Sequence, residues 1–178
     1  AEKERRHERG RGRCSLTFFR PHIDMGDLAN LEDSKPIIEL FDHTKGDLVR
    51  VEWLTEKAIH DLPDFLESVG SEEPVLPQLS SVEVSLIGDE EIARVHGDFM
   101  GDPTPTDVIT FHHGEILVSV DTAEREGAEH KNSVEEEVLL YLIHGLLHLN
   151  GHTDLVEPDR EQMQSIQNEI LRRVLNRG

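Results

Sequence analysis

The side chains best placed for chemistry lie in one short stretch, His144-Gly-Leu-Leu-His148-Leu-Asn-Gly151-His152-Thr-Asp154. Histidines four apart stack on one face of a helix, where both imidazoles can reach a single ion. Gly151 stands where a left-handed residue would end that helix and turn the chain back toward them. The turn offers two candidates for a third ligand, His152 and Asp154. The spacing His, His at +4, Gly at +7 and ligand at +10 is that of extended zincin motifs and favours Asp154, with His152 as the alternative. Three protein ligands leave a fourth position open on a tetrahedral zinc ion, the arrangement of hydrolytic rather than structural sites. One zinc per chain is therefore expected, held by His144, His148 and Asp154.

The elements that must present these ligands are legible around them. Ser133-Val-Glu-Glu136 has the pattern of a capping box, so a helix should begin there. Val138, Leu139, Leu142, Ile143, Leu146 and Leu147 follow at helical spacing and form an apolar stripe, with His144 and His148 beside it. Asp107, at the exit of the loop Gly101-Asp-Pro-Thr-Pro105, could orient an active-site group, although an acidic residue there more commonly ties loop amides. His112 and His113 precede Gly114 at a hairpin and are further candidates for metal or substrate contact, with a turn or supporting role the commoner fate.

At the metal stretch the chain resembles the YbeY-type endoribonucleases, rRNA maturation factors whose signature is HGxLHLxGYDH; here it stands as HGLLHLNGHTD. His152 takes the tyrosine position and Asp154 that of the third histidine. Pro105-Thr106-Asp107-Val108-Ile109-Thr110-Phe111 is similar to the family's PTDVLSF. Gly114 to Ser119 is similar to its GDIxIS strand, and Asp159 to Leu171 to its closing helix. The resemblance spans about residues 36 to 175. It implies a metal-dependent, single-strand-specific endoribonuclease acting in rRNA 3′-end maturation and ribosome quality control. The partners implied are single-stranded or ribosomal RNA and ribosomal proteins. The family carries a Tyr-Arg pair before its PTD segment, its arginine in the active-site cleft. This chain has Phe99-Met100 there, so the catalytic residues beyond the metal group stay unassigned. An aspartate in place of the third imidazole should also lower the Lewis acidity of the ion.

Two other functions fit the same residues. One is a ribosome-assembly protein whose zinc is structural and whose nuclease activity has decayed. The other is a metallopeptidase, against which the first histidine is followed by Gly145 and not by the glutamate that serves as general base in HExxH enzymes.

Charge narrows the field further. The chain has 178 residues and a formal net charge of −19, which is awkward for an RNA enzyme unless an ion or a partner supplies positive charge. Residues 1 to 20 run against that mean, with seven Lys or Arg against three Glu. The segment 1–35 therefore reads as a disordered basic arm and linker, able to bind RNA phosphates or simply solvated, and residues 36–178 as the nuclease-like domain. Cys14 is the only cysteine, so cysteine cannot build the metal site. With neither a signal-peptide pattern nor an apolar run long enough to span a bilayer, a cytoplasmic protein without membrane contact is expected. Oligomeric state is not encoded legibly.

The remaining chain reads as α+β. Strands are expected at Pro36 to Phe41, Val82 to Leu86, Val108 to Phe111 and Glu115 to Val120, with a turn at Thr44 to Asp47. Helices are expected from about Val51 to Ser68, with Pro63 kinking or dividing it, from Gly88 to Val95 capped by Asp89 or a neighbour, and from Pro158 to Leu175. Met163, Ile166, Ile170 and Val174 give the last one an apolar face. The expected fold is a single domain with a mixed four-stranded sheet packed by about five helices, the metal-bearing helix central. Trp53, Tyr141 and Phe99 are the aromatic candidates for base stacking, each of a kind more often found in a core.

Overall fold

The computed structural model describes residues 35–177 apart from Asp47. The basic arm and Cys14 thus lie outside the described residues, but for Lys35, and the expected turn at Thr44 to Asp47 is only partly covered.

Four strands build one mixed sheet in the order β1-β2-β4-β3: β1 Ile37–Asp42, β2 Ser81–Ile87, β3 Val108–Phe111 and β4 Glu115–Ser119. β1 and β4 both run parallel to β2, and the hairpin partners β3 and β4 are antiparallel, with Thr110 opposite Ile116. Five α-helices accompany the sheet: α1 Val51–Glu56, α2 Asp89–Met100, α3 Val120–His130, α4 Val134–Leu149 and α5 Asp159–Leu175. The α+β architecture expected from the pattern is the one found.

α4 is the centre of the fold. Its cap is the expected box: Ser133 Oγ accepts from the Glu136 amide at 3.2 Å, and Glu136 Oε2 accepts from the Ser133 amide at 2.7 Å. Val138, Leu139, Leu142, Ile143, Leu146 and Leu147 are all fully buried, and the helix packs on α3, α5, β3 and β4. Burying such a leucine or isoleucine side chain contributes about 1.5–3 kcal/mol, so this stripe fixes where His144 and His148 stand.

Three elements differ from expectation. The helix from Val51 loosens to a π turn over Lys57–Asp61 and tightens to a 3-10 turn over Leu62–Phe65. Pro63 has no amide to donate and its ring crowds the preceding turn, so regular winding cannot pass through it. Leu54, Ala58 and Leu62 nevertheless stay fully buried. Second, α2 runs on to Met100, well past Val95; of the expected caps, Asp89 or a neighbour, it is the neighbour Gly88 that stands at the N-cap. The Asp89 amide is satisfied by Asp121 Oδ2 at 2.8 Å. Third, the segment after β4 is the helix α3, begun by Ser119 Oγ accepting from the Thr122 amide. It buries Val120, Thr122, Ala123 and Gly127, mostly small residues that give no strong apolar period.

Freed from capping, the Asp89 carboxylate ties α2 to α3. Oδ1 accepts from Ser119 Oγ at 2.6 Å and Thr122 Oγ1 at 2.8 Å, and Oδ2 pairs with Arg125 Nη1 at 2.6 Å. Partial burial alone would raise its pKa, but these donors outweigh burial and hold it below the usual carboxylate value. A depressed folded value means that the stabilisation is complete above the unfolded value of about 3.9 and is lost as pH falls through the folded one. Urea unfolding of the wild type and of Asp89→Asn should therefore show the wild type more stable near neutrality, the gap closing in acid. A gap that is constant with pH would remove the ionised carboxylate from the account.

Candidate metal centre

α4 carries His144 and His148 to the C-terminal end of its buried face, and the chain then reverses. Gly151 has φ 85°, the left-handed conformation expected of it. Its amide bonds His148 O at 3.0 Å and the next amide, of His152, bonds Leu147 O at 3.0 Å, so the turn is locked onto the helix end.

A strap crosses this turn. The amides of Gly70, Glu72 and Val75 donate to the carbonyls of Asn150, Gly151 and Leu149 at 3.0, 3.0 and 2.9 Å. Asn150 Nδ2 adds a bond to Ser68 O at 2.6 Å. The approach is so close that a Cβ on Gly70 would stand 1.9 Å from Gly151 O.

The turn delivers Asp154 to the two histidines. His144 Nε2 and His148 Nε2 lie 3.0 Å apart, with Asp154 oxygens 3.7 Å from the first and 3.9 Å from the second. His152 goes elsewhere. It is 6% exposed, and its Nε2 lies 3.0 Å from Ser68 O and 3.3 Å from Ser68 Oγ under the strap. Of the two candidate third residues, only Asp154 joins the cluster of potential ligand atoms, all within 4.8 Å of one another.

The hydrogen bonds around the imidazoles decide which atoms face inward. His148 Nδ1 lies 3.0 Å from the main-chain oxygen of His152, which can only accept, so Nδ1 carries the proton and donates. His144 Nδ1 donates likewise to Gln167 Oε1 at 2.9 Å, from α5. In the neutral rings both Nε2 lone pairs then point into the same small space as a carboxylate. Such an arrangement calls for a cation. Ligand atoms about 2.0–2.1 Å from a tetrahedral zinc stand about 3.3 Å apart, a value the observed separations bracket. Protonation is the other way to relieve the repulsion, but burial pushes the His148 pKa down and the neighbouring His144 adds to the effect. The donor set thus fits a divalent ion, and Gln167 and the His152 carbonyl orient its imidazoles in the manner usual for metal-bound histidine.

The cluster opens into a cleft of about 470 Å³ whose lining includes Glu72, His96, Met100, Asp107, His112 and Leu155. Met100 is 71% exposed at the place of the family arginine, and no Lys or Arg lines the cleft among the described residues. Asp107 serves its own loop: Oδ1 accepts from Thr106 Oγ1 at 2.9 Å and the Val108 amide at 2.8 Å. His112 borders the cleft, while His113 pairs with Glu115 at 3.1 Å on the exposed hairpin, and neither joins the ligand cluster. Gly145 faces the sheet, where a Cβ would meet Thr110 Oγ1 at 2.7 Å and Ile116 at 3.1 Å. A side chain at the position that holds the general base of HExxH enzymes would have to displace Thr110 and Ile116 and would point at the sheet.

The aromatic candidates separate. Tyr141 is buried and Trp53 packs against the core, as residues of their kind commonly do. Phe99 does not: it is 68% exposed on the last turn of α2, touching Phe111 edge to face with ring centroids 5.1 Å apart. Sequence reasoning missed the strap altogether. Its one signal, Gly70, is indistinguishable in sequence from any loop glycine.

Comparison with known proteins agrees with this geometry. Residues 49–175 match the family model described as endoribonuclease YbeY. An endoribonuclease YbeY of Allorhizobium ampelinum is 27% identical over 138 residues, covering 70% of this chain and 81% of its own. One of Thermus thermophilus is 36% identical over 102 residues, covering 51% and 73% respectively. A Thermotoga maritima protein solved in solution superposes with a TM-score of 0.54 at 29% identity, covering 78% of this chain and 89% of its own. With a matching family model over most of the chain and two histidines and an aspartate gathered at the end of its central helix, this protein belongs to the endoribonuclease YbeY family.

Proposed function

We propose that this chain is a zinc-dependent endoribonuclease that cuts single-stranded RNA, with ribosomal RNA 3′ ends and ribosome quality control as its setting and ribosomal proteins as companions. The observation that carries the reading is the convergence of His144 Nε2, His148 Nε2 and the Asp154 carboxylate at an open cleft in a chain of this family. Two imidazoles and one carboxylate suit zinc, and a zinc ion bound there would lower the pKa of water and polarise a phosphoryl oxygen. Asp154, rather than His152, is the third ligand in this proposal.

The chain's own residues supply position and exclusion. Gln167 and the His152 carbonyl hold the rings in one tautomer, and the strap fixes the height of Asp154. His96, whose Nδ1 donates to Thr104 O at 2.9 Å, and His112 offer the cleft polar ring nitrogens in place of guanidinium or ammonium groups. With no Lys or Arg lining this cleft among the described residues, an ion held by His144, His148 and Asp154 would be the main positive charge facing a phosphate there. No described helix is long and apolar enough to cross a membrane, and a cytoplasmic location is part of the proposal.

The test joins elemental analysis to RNA cleavage. Wild-type protein should carry about one zinc per chain, lose it in Asp154→Ala and keep it in His152→Ala. The latter should instead melt earlier, by the roughly 1–3 kcal/mol expected when buried hydrogen-bond partners are stranded. Cleavage should follow the metal and favour unpaired over duplex RNA. Stoichiometric zinc with RNA binding but no cleavage would move the assignment to an assembly protein with a structural ion, the reading that Met100 in the arginine position favours. Metal retained in Asp154→Ala and lost in His152→Ala would reverse the ligand assignment.

A further inference from the structure

Resting on the nuclease reading, we infer that Arg125 binds substrate: its guanidinium holds a phosphodiester linkage next to the one that is cut, in a pocket adjoining the metal cleft. This pocket, of about 490 Å³, is walled by α3, α4, α5 and the loop before β3, with Arg125, His130, Tyr141 and Gln167 in its lining. Thr106, Asp107 and His144 border both the pocket and the cleft. Gln167, which bonds His144 Nδ1, lines the pocket and not the cleft, whereas His144 Nε2 belongs to the ligand cluster. One imidazole thus stands between the two spaces. A strand with its cut linkage at the metal would lay a neighbouring linkage in the pocket.

The guanidinium is held in place by bonds that leave part of it unspent. Nη1 donates to Asp89 Oδ2 at 2.6 Å and to Asp121 O at 3.2 Å, and Nη2 donates to Thr122 Oγ1 at 2.9 Å. Thr122 Oγ1 in turn donates to Asp89 Oδ1 at 2.8 Å, so the two acceptors sit together at the Nη1–Nη2 end of the group. The Nε–Nη2 edge has no partner among the described residues, and the side chain is 55% exposed. Two parallel N–H donors on one edge of a fixed plane match two oxygens of a phosphate.

The carboxylates of the pocket are largely engaged elsewhere. Asp107 Oδ1 is occupied by Thr106 and the Val108 amide. Glu137 is buried, and its oxygens accept from His130 Nδ1 at 3.1 Å and Asn132 Nδ2 at 2.8 Å. The same carboxylate raises the His130 pKa, which favours a charged imidazole on this wall. Glu126 also lines the pocket and opposes an anion, and the Asp89 ion pair offsets part of the Arg125 charge. The gain from one phosphate therefore falls near the lower end for a hydrogen bond to a charged group, about tenfold in binding.

Steady-state cleavage of a labelled single-stranded oligoribonucleotide by the zinc-loaded full chain tests this. Linkages beside the cut are replaced one at a time with an uncharged methylphosphonate on a 2′-deoxy sugar, and the 2′-deoxy phosphate at the same place is the control. For the wild type, one such replacement should raise KM about tenfold with kcat little changed. Arg125→Ala should show that higher KM already on the all-phosphate strand and no further rise from the methylphosphonate at that linkage. Its log(1/KM) should also fall less steeply with log[salt], by about 0.7, the slope of one phosphate contact on a single strand. Arg125→Lys, which keeps the charge but not the fork, should restore the salt slope and only part of KM. A wild type indifferent to methylphosphonate at every linkage beside the cut overturns the subsite. So does an Arg125→Ala protein that melts earlier or turns over more slowly yet keeps the wild-type sensitivity to the uncharged linkage, since Arg125 would then only tie α3 to α2. Both results leave the nuclease assignment in place. A wild type that neither binds nor cuts RNA overturns both.

Discussion

Replacing His148 with alanine should empty the metal centre and reduce RNA cleavage by more than about 100-fold, while the chain stays folded. The lower bound comes from metal sites generally, where loss of a group that merely orients a ligand costs about 10–100-fold and loss of a ligand costs more. His148 meets the convergence point from the last turn of α4: its Nε2 lies 3.0 Å from that of His144 and 3.9 Å from Asp154, and its Nδ1 is anchored on the His152 carbonyl. Without it, His144 and Asp154 remain as a two-point site open to water. The fold should survive because the His148 side chain is 30% exposed, whereas the neighbouring Leu146, Leu147 and Leu149 are fully buried. Elemental analysis, circular dichroism and cleavage of a single-stranded substrate at fixed zinc check the three parts separately. Full metal content with undiminished turnover would sink the assignment of His148, and with it the site.

The largest effect on stability should come from a residue with no side chain. A methyl group on Gly70 would lie 1.9 Å from Gly151 O and 2.3 Å from the His152 nitrogen, and both are backbone atoms that cannot swing aside. Either the strap or the turn must move. Overpacking in a tight site typically costs 1–3 kcal/mol, and with rigid atoms on both sides about 3 kcal/mol or more is expected for Gly70→Ala. In a domain of this size that lowers the melting temperature by roughly 10 °C. Zinc affinity should fall too, since the bonds from Gly70 and Glu72 hold the turn that carries Asp154. Gly46→Ala is the control: among the described residues its new methyl group would meet only Leu48 Cγ, at an ordinary 3.7 Å, and should leave melting unaltered. Equal melting of Gly70→Ala and the wild type would mean that the strap does not constrain the turn.

The legible parts of this molecule are those whose causes are local. The capping box, the six-residue apolar stripe, the paired histidines and Gly151 fall within about twenty consecutive residues, and periodicity and capping chemistry suffice to place them. The strands were equally visible, to within a residue at either end. α3 was not, because a helix that packs through Thr122, Ala123 and Gly127 shows no strong apolar period. The division of the helix after Val51 was signalled by Pro63, but the π turn over Lys57–Asp61 that precedes the 3-10 turn holding this proline was not. The choice between Asp154 and His152 was open in the sequence because spacing allows both. What separates them in space is Ser68, more than eighty residues away in the chain, which engages the His152 ring. Phe99 was misjudged for a similar reason: composition says that aromatic residues are usually covered, and only the tertiary structure shows that this one is mostly exposed.

The strap also bears on how the centre is loaded. Its three main-chain bonds join the segment Gly70 to Val75 to the end of α4 through protein atoms alone, so the ligand-bearing turn has its shape before any ion arrives. Small zinc domains that fold only around their metal spend binding energy on ordering the chain and unravel when the metal leaves. Here the strap should weaken that coupling. An ion could leave and another take its place through the open cleft while the protein stayed intact, so that occupancy would follow the free metal concentration around a finished molecule rather than the moment of its synthesis.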